Sequence, residues 1–490
     1  MSNDSPDVGA PHVADPRRWK ALGVLGLIQF MLILDVTVVN VALPDIYKEL
    51  EFTDDAALSW VVNGYVLMAG GLLLLGGRLA DIIGRRRVFM IGVGLFALAS
   101  ATCGAAVNPE MLISSRFLQG AGEALAAPAS LGLIALLFPD PRERMKALGI
   151  FGGIAGLGGT SGTVISGFIT EWADWRWIFF INLPVAVVAL LVVPRLVNES
   201  KMHRTTGHPD YWGAITGTLG MIAVVDGLIE ASRHDWTSTN VLIPLLGGIA
   251  LLGLMVFIES RSDAPLIPLS FFQNRTRVVA NFTTLFFSSA FFTYFFLLTL
   301  FEQKQLGWSP IEGGLSYLPF GVSIGAGIGI GTALMPRIGV KPLMGFGFLG
   351  CALGLYLTST VTLETTYVGH IMPGMIALGF FSGTCFPAFT NAALHEVTGQ
   401  DSSLASGVQA SMQQIGGALG LATLATLALR HANSAILDGV MPHQAFTDGY
   451  VLAWRVGAAL CVVGGILVFL LLEHVVAEPR NALAEEAEAL

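Results

Sequence analysis

The sequence predicts an all-α membrane protein of fourteen spanning helices, and three observations carry that reading. Of its 490 residues, 53% are hydrophobic and only 12% are charged, against about 25% charged in soluble domains. The apolar residues gather into fourteen runs, each close to the roughly 20 residues that cross a bilayer as a helix. Lys and Arg fall unevenly between the two sets of loops these runs define. The mean hydropathy of +0.68 agrees. Too few charges remain to solvate a water-soluble surface of this size, which excludes a soluble enzyme, a nucleic-acid binder and a disordered scaffold.

The runs lie near 20–43, 57–76, 87–107, 110–138, 145–170, 176–194, 211–230, 240–259, 278–301, 311–335, 341–360, 366–393, 402–429 and 449–473. In lipid they must be helices, because only a helix satisfies its own backbone groups. Fourteen of them use about 280 residues and leave no room for a sizeable extramembrane domain. With both ends placed inside, nineteen of the 26 Lys and Arg fall on the inner face and six on the outer; Arg116 lies within a span. That split predicts cytoplasmic termini and an even number of crossings. The net charge of −9 decides little beside placement. Cys103, Cys351, Cys385 and Cys461 sit in apolar stretches far apart in sequence, as small apolar fillers. The first run is long enough to span and lacks a small-residue cleavage site, so no cleavable signal peptide is expected.

A faint internal repeat organises the chain. Gly76 and Gly84 join spans two and three. Gly331 and Gly339 join spans ten and eleven at the same spacing, again next to basic residues. The expected division is an N-terminal tail over 1–19, a six-helix bundle over 20–194, a linker with two added helices over 195–277, a second six-helix bundle over 278–473, and a C-terminal tail over 474–490. Paired halves of this kind are a transporter signature.

Soluble chemistry finds no footing. No Gly-Lys dipeptide exists to form a phosphate loop, and His395-Glu396 lacks the second histidine of a zinc helix. Gly321-Val322-Ser323-Ile324-Gly325 matches a nucleophile elbow in letters, but it lies inside a glycine-rich span, where close helix packing is the better reading. No catalytic residue, metal site or cofactor is expected.

The most specific motif is Gly77-Arg78-Leu79-Ala80-Asp81-Ile82-Ile83-Gly84-Arg85-Arg86-Arg87. Its glycines permit a tight turn against neighbouring helices, its arginines anchor the inner face, and Asp81 is placed to pair with an arginine or cap a helix. A plain positive-inside loop explains the arginines but not the placed glycines and acid. The loop closely resembles the signature loop of the major facilitator superfamily. Leu34-Asp35-Val36-Thr37-Val38-Val39-Asn40-Val41-Ala42-Leu43-Pro44 and Asp174-Trp175-Arg176-Trp177-Ile178-Phe179-Phe180-Ile181-Asn182-Leu183-Pro184 resemble motifs of its fourteen-helix drug:proton antiporter branch. The resemblance runs from about residue 20 to 475. It implies the major facilitator fold, alternating access, and Gly77, Asp81, Gly84, Arg85 and Arg86 as a gating loop.

Three charges within the spans are the candidate site. Asp35 stands in mid-span, and acids at that depth mark ion or substrate pathways; a structural acid bonded to Asn40 or Thr37 is the plain alternative. Arg116-Phe117-Leu118-Gln119-Gly120 resembles the superfamily's fourth-span motif, which is associated with proton coupling. Glu123 follows Arg116 by about 10 Å of helical rise on nearly the same face. It departs from the family pattern and suits a proton or a cationic substrate; an ion pair with Arg116 is its plain alternative. Asn40, Asn63, Tyr65, Gln119, Gln413 and Gln414 are polar candidates for a central cavity. Phe287 and Phe291 are aromatic ones, placed to meet an apolar cation. Glu302 is expected at the outer mouth, attracting cations or solvated.

Span five departs from the branch. Where the family has Gly-Pro, this chain has Gly162-Thr163, which removes a source of kinking. The face of Gly158, Gly162 and Gly167 still suits close helix packing. The expected function is proton-coupled export of amphipathic, cationic drug-like compounds by a monomeric, multi-pass protein of the bacterial cell membrane. Its partners are the small-molecule substrate, protons and lipid; no nucleic acid is expected. Two alternatives stay open: a proton-coupled carrier of another mode (uptake, or lipid or metabolite export), and a non-transporting membrane sensor.

Overall fold

The computed structural model describes residues 17–199, 210–262, 265–396 and 402–473. Lys201, Arg204, Arg480 and most of the two expected tails lie outside the described residues. Fourteen helices are long and apolar enough to cross a membrane, and no strand occurs among the described residues. They are span one (Arg18–Glu49), two (Asp55–Ile83), three (Arg85–Gly104), four (Pro109–Leu137), five (Lys146–Trp172), six (Trp177–Leu196), seven (Tyr211–Glu230), eight (Thr239–Arg261), nine (Arg275–Gln305), ten (Pro310–Ile338), eleven (Val340–Thr358), twelve (Tyr367–Ala393), thirteen (Leu404–Leu437) and fourteen (Pro442–Leu471).

Several helices outrun the apolar runs that announced them. Span one carries its helix through Pro44 to Glu49, since only the apolar middle of a long helix has to match the hydrocarbon. Span six is interrupted at Ile181. Span ten is interrupted at Tyr317, just before Pro319, whose missing N–H suits a helix start. Span nine ends in a π-helical turn over Phe301–Gln305, and span twelve begins in one over Tyr367–Ile371. Ser323 of the elbow-like motif lies inside the continuous helix Leu318–Ile338, so the strand–turn–helix geometry of a nucleophile is absent there.

Packing sorts the helices into two sets of six. Span four packs on two and three, and five on one; in the second set twelve packs on ten and eleven, nine on thirteen, and fourteen on eleven and thirteen. Spans seven and eight pack on each other, and seven lies against spans two and thirteen where the sets meet. Span eight shows most of its apolar side chains outward, Ile243 and Leu246 among them, as a lipid-facing helix does. Arg455, grouped with the outer loops in the sequence, stands on an exposed face well inside span fourteen.

Glycine brings the backbones together. A Cβ on Gly76 would stand 2.0 Å from the Ala124 carbonyl oxygen, and one on Gly120 2.2 Å from that of Tyr65. Spans two and four therefore touch backbone to backbone. In the second set, Gly327 meets Phe380 at 2.0 Å and Gly383 meets Ile324 at 2.3 Å in the same sense. The faint sequence repeat is a repeat of packing as well, since Gly331, the counterpart of Gly76, lies against span twelve with its would-be Cβ 3.0 Å from Thr384 Cα. Its other members, Gly84 (φ 124°) and Gly339 (φ 81°), each turn the chain between two spans in a region closed to most side chains. Gly158 lies against Phe30 and Ile33, and Gly162 against Thr37, which seats span five on span one. Gly167 instead meets Pro310 of span ten, across the two sets.

Asp54 ties the inserted pair to the first set. Its carboxylate caps span two through the Ala57 N–H (2.8 Å) and takes both Nε and Nη2 of Arg233 at 2.6 Å. Burial pushes the Asp54 carboxyl up, but the Arg233 hydrogen bonds, the cap and the Arg233 charge outweigh it and hold the group below its ordinary value. A depressed carboxyl adds stability above its unfolded pKa of about 4 and loses it as pH falls through the folded value.

Two outcomes follow for the purified protein. Gly120→Ala should lower stability by about 1–3 kcal/mol through overpacking, whereas Gly94→Ala, which meets nothing within 4 Å, should be close to neutral; thermal denaturation in detergent compares them. Asp54→Asn keeps the cap but loses the charge pair. Both partners are about a third exposed, so it should cost about 0.5 kcal/mol near neutral pH, and the gap to the parent should close below about pH 3.

Candidate functional site

The site grows from one buried arginine. Arg116, on span four, is 1% exposed and Asp35, on span one, 0%. Arg116 Nη1 donates to Asp35 Oδ2 at 2.5 Å and to Gln119 Oε1 at 2.7 Å, while its Nε donates to the Val61 carbonyl at 2.9 Å. The guanidinium carbon lies 4.1 Å from the Tyr65 ring centre, a cation–π distance. The second carboxylate oxygen, Asp35 Oδ1, accepts from Gln119 Nε2 (2.7 Å) and Asn182 Nδ2 (2.8 Å). Both amides also donate to Ser100 Oγ, and Ser100 donates to the Phe179 carbonyl at 2.8 Å. Spans one, two, three, four and six thus meet in one polar knot. A charge pair this deep persists only when its lone pairs and protons are matched, and here hydrogen bonds do the matching.

Glu123 is half-buried on the same helix as Arg116, with Oε2 buried and free of any hydrogen bond. It does not pair with the arginine; Asp35 takes that place. Its neighbour is the buried Tyr65 hydroxyl, which also lacks a hydrogen-bond partner of good geometry. The fully buried Asn63 amide is equally unpartnered. With Asp35 cancelled by Arg116, the cluster carries one uncompensated negative charge when Glu123 is ionised.

The other sequence candidates lie elsewhere. Phe287 is 1% exposed and stacks on Phe291 at 5.4 Å, with Phe348, Phe386 and Phe389 around it. Phe287 belongs to the apolar core of the second set, and Phe291, half-buried, packs against that core. Gln414 packs its Cβ against Gly70 where spans two and thirteen meet; Gln413 beside it and Asn40 on span one are half-buried. Thr37 donates to the Leu34 carbonyl and leaves Asp35 alone.

The 77–87 loop forms a clasp at one end of the bundle. Arg85 Nε and Nη2 hold Asp81 Oδ1 at 3.1 and 3.0 Å, and its Nη1 donates to the Gly132 carbonyl at 3.0 Å. Arg86 Nη1 donates to the Val197 carbonyl at 3.1 Å. The cap of span three comes from Glu199, which accepts the Arg86 and Arg87 N–H groups at 3.2 and 3.1 Å. A Cβ at Gly84 would meet Glu199 Oε1 at 2.5 Å, so Gly84 serves both the turn and the cap. Gly77 faces Pro128.

At the opposite end the two sets interlock. Gln303 Nε2 donates to the Val41 carbonyl at 2.8 Å, Lys304 pairs with Asp55 and lies 3.9 Å from the Tyr47 ring centre. Span ten presses on span five, with Gly314 against the Thr163 carbonyl at 2.6 Å. Glu302, expected to be solvated at this mouth, is instead 0% exposed with both carboxylate oxygens unpartnered; the start of span ten folds over it.

Sequence reasoning missed Asn182, Ser100, Glu199 and the Lys304–Asp55 contact. Asn182 lies inside a motif quoted for its resemblance, so a polar residue next to the span-six break was a usable signal. Ser100 and Glu199 had none, since each acts on a helix far away in sequence.

Comparison with known proteins agrees with this geometry. The Major Facilitator Superfamily pattern matches residues 25–421. The puromycin resistance protein of Streptomyces alboniger is 35% identical over 475 residues, covering 96% of this chain and 94% of that protein. The lincomycin resistance protein of Streptomyces lincolnensis is 38% identical over 446 residues, covering 89% and 88%. Among solved structures, a D-xylose-proton symporter superposes with a TM-score of 0.65 at 15% identity over 93% of this chain and 98% of that one, a likeness of fold alone. Two six-helix sets built on paired glycines, the 77–87 clasp and these matches agree: the chain belongs to the major facilitator superfamily, as a multi-pass transporter of the cell membrane and not an enzyme.

Proposed function

We propose that this protein exports amphipathic, cationic drug-like compounds in exchange for protons, by alternating access, with no cofactor beyond the proton gradient. The observation that carries the reading is the cluster around Arg116: one buried ion pair, Asp35–Arg116, next to one carboxylate, Glu123, with no counter-charge. The two resistance proteins among the relatives support the direction and the substrate class.

The charge count suggests the exchange. Ionised, Glu123 leaves the cluster at net −1 and attracts a cation; protonated, it leaves the cluster neutral and releases one. Proton and substrate therefore compete for the same charge. Asp35 holds Arg116 in place; its protonation would free the guanidinium and add positive charge against a bound cation. Tyr65 and Asn63 offer unpartnered polar groups beside it. On the positive-inside rule the Gly84 clasp faces the cytoplasm and the Asp54 end faces outward. The interlocked Asp54 end then makes this an outwardly closed arrangement, in which substrate enters from the cytoplasm or inner leaflet. A membrane potential adds about 2.3 kcal/mol per charge per 100 mV. The protein is taken to work as a monomer.

In proteoliposomes with an imposed pH gradient, Glu123→Gln should cut uptake of a cationic dye into inside-out vesicles by about tenfold or more, a loss of about 1.4 kcal/mol of driving interaction. Parent-like transport would remove Glu123 from the coupling. Asp35→Asn should both abolish transport and destabilise the protein by about 3–5 kcal/mol, since it leaves Arg116 buried without its counter-ion; an unchanged melting temperature would contradict the pairing. Cells overexpressing the parent should hold less of the dye, and greater accumulation would overturn the export direction.

A further inference from the structure

Glu302 is the buried acid that the exchange above does not use. Among the described residues it has no ion-pair partner, and the Ser316 hydroxyl beside it donates to the Gly313 carbonyl, which leaves both oxygens without a hydrogen bond of good geometry. It sits in a π-helical turn, a rare element that concentrates at functional sites. An ionised carboxylate without a counter-charge or hydrogen bonds is not tolerated in such a place, so the group is neutral in this arrangement.

Its cover is the start of span ten, which belongs to the same set and is held down by contacts between the two sets. The next residue, Gln303, donates to the Val41 carbonyl of span one. The residue after that, Lys304, pairs with Asp55 of span two. Gly313 of span ten lies over the carboxyl, its would-be Cβ 3.8 Å from Glu302 Oε2, and the adjacent Gly314 is held against Thr163 of span five. Separation of the sets at this end would release all three contacts and admit water to the carboxyl.

We propose that Glu302 is a second proton-binding site that acts as a latch on the Asp54 end: it must take up a proton before that end can close, and it loses the proton to the same face when that end opens. It is not part of the proton path that drives substrate; a carboxylate takes a proton from water on that face and returns it there. This rests on the alternating-access reading, but not on the substrate, the coupling or the identity of the face. The groups facing Glu302 are the hydroxyls of Ser316, Tyr294, Tyr317 and Tyr367. Tyr317 donates to the Phe295 carbonyl and Tyr367 to the Ser316 carbonyl; Tyr294 of the same span bonds Thr358. From span fourteen, His443 meets Gln305 and not Glu302. Lys304 is occupied by Asp55. No cation is left to hold the carboxylate ionised.

The sign is set by linkage: the closed state binds the proton, so acid favours closure and base favours opening, by up to about tenfold in the open-to-closed ratio per pH unit for one proton. The test uses the full-length protein in nanodiscs without substrate or gradient. Spin labels go on cysteines introduced at the exposed Thr53 and Glu364, one on each set at this end; the native cysteines are buried. In the parent, raising the pH from about 5 to 9 should move the label pair from a short to a long distance. Glu302→Gln, a neutral isostere, and Glu302→Leu, which suits an apolar site, should both stay short throughout. A parent without a pH response, or a parent-like response in either folded Glu302 variant, overturns the latch. Neither result bears on dye transport, and a failure of dye transport leaves the latch untouched.

Discussion

Arg116 carries a full positive charge that hydrocarbon cannot solvate, and much of the first helical set is arranged to answer it. Asp35 supplies the counter-charge from span one, Val61 and Tyr65 supply a carbonyl and a ring face from span two, and Gln119 bridges within span four. Asn182 then donates to Asp35 from span six, and Ser100 on span three accepts from the Gln119 amide. The partners are spread over five helices, so the register of those five follows from matching one guanidinium and one carboxylate. Moving any of them by a turn would leave a buried donor or acceptor without a partner, at a cost comparable to a lost hydrogen bond or more.

Close approach of those helices needs an absence of side chains. Apolar side chains gain little by leaving lipid for protein, so association inside a bilayer leans on dispersion and backbone contact. Gly76 and Gly120 provide that for spans two and four, and Gly327 and Gly383 for spans ten and twelve. The same device holds helices backbone to backbone in both sets. The contacts between sets are different in kind: Gln303 to Val41, Lys304 to Asp55, and Gly314 on Thr163. The polar ones gather at one end, while spans two and thirteen also pack together in mid-span, Gly70 against Gln414. A transporter that rocks one half against the other requires this contrast between stiff halves and a releasable seam.

The polar knot and the seam also divide the acids by role. Asp35 is fully matched and structural as it stands. Glu123 and Glu302 are unmatched, one in the first set beside Arg116 and one in the second set beneath the seam. An unmatched carboxyl in a dry place has its protonation tied to whether the place stays dry. On the proposals above, Glu123 is tied to the charge that substrate would occupy and Glu302 to closure of the Asp54 end.

Composition and periodicity determined the membrane class, the helix count and the pairing of the two halves, because the length of an apolar run and the placing of glycines are local properties that lipid reads directly. The motif around Gly84 and the depth of Asp35 and Arg116 were legible for the same reason: charges inside an apolar run stand out in a single strand of text. What the sequence could not determine was who meets whom. Arg116 and Glu123 share a face of one helix, yet the arginine turns to Asp35, 81 residues away, since only the packing of spans one and four decides which acid lies within reach. Phe287 read as a cavity wall and is buried in core, because aromatic rings gather wherever neighbouring helices offer more rings. Glu302 read as a solvated mouth residue and is sealed, because the helix that covers it begins after the turn that follows and folds back over it. Burial is set by what arrives from elsewhere in the chain, and that is a property of the tertiary structure alone.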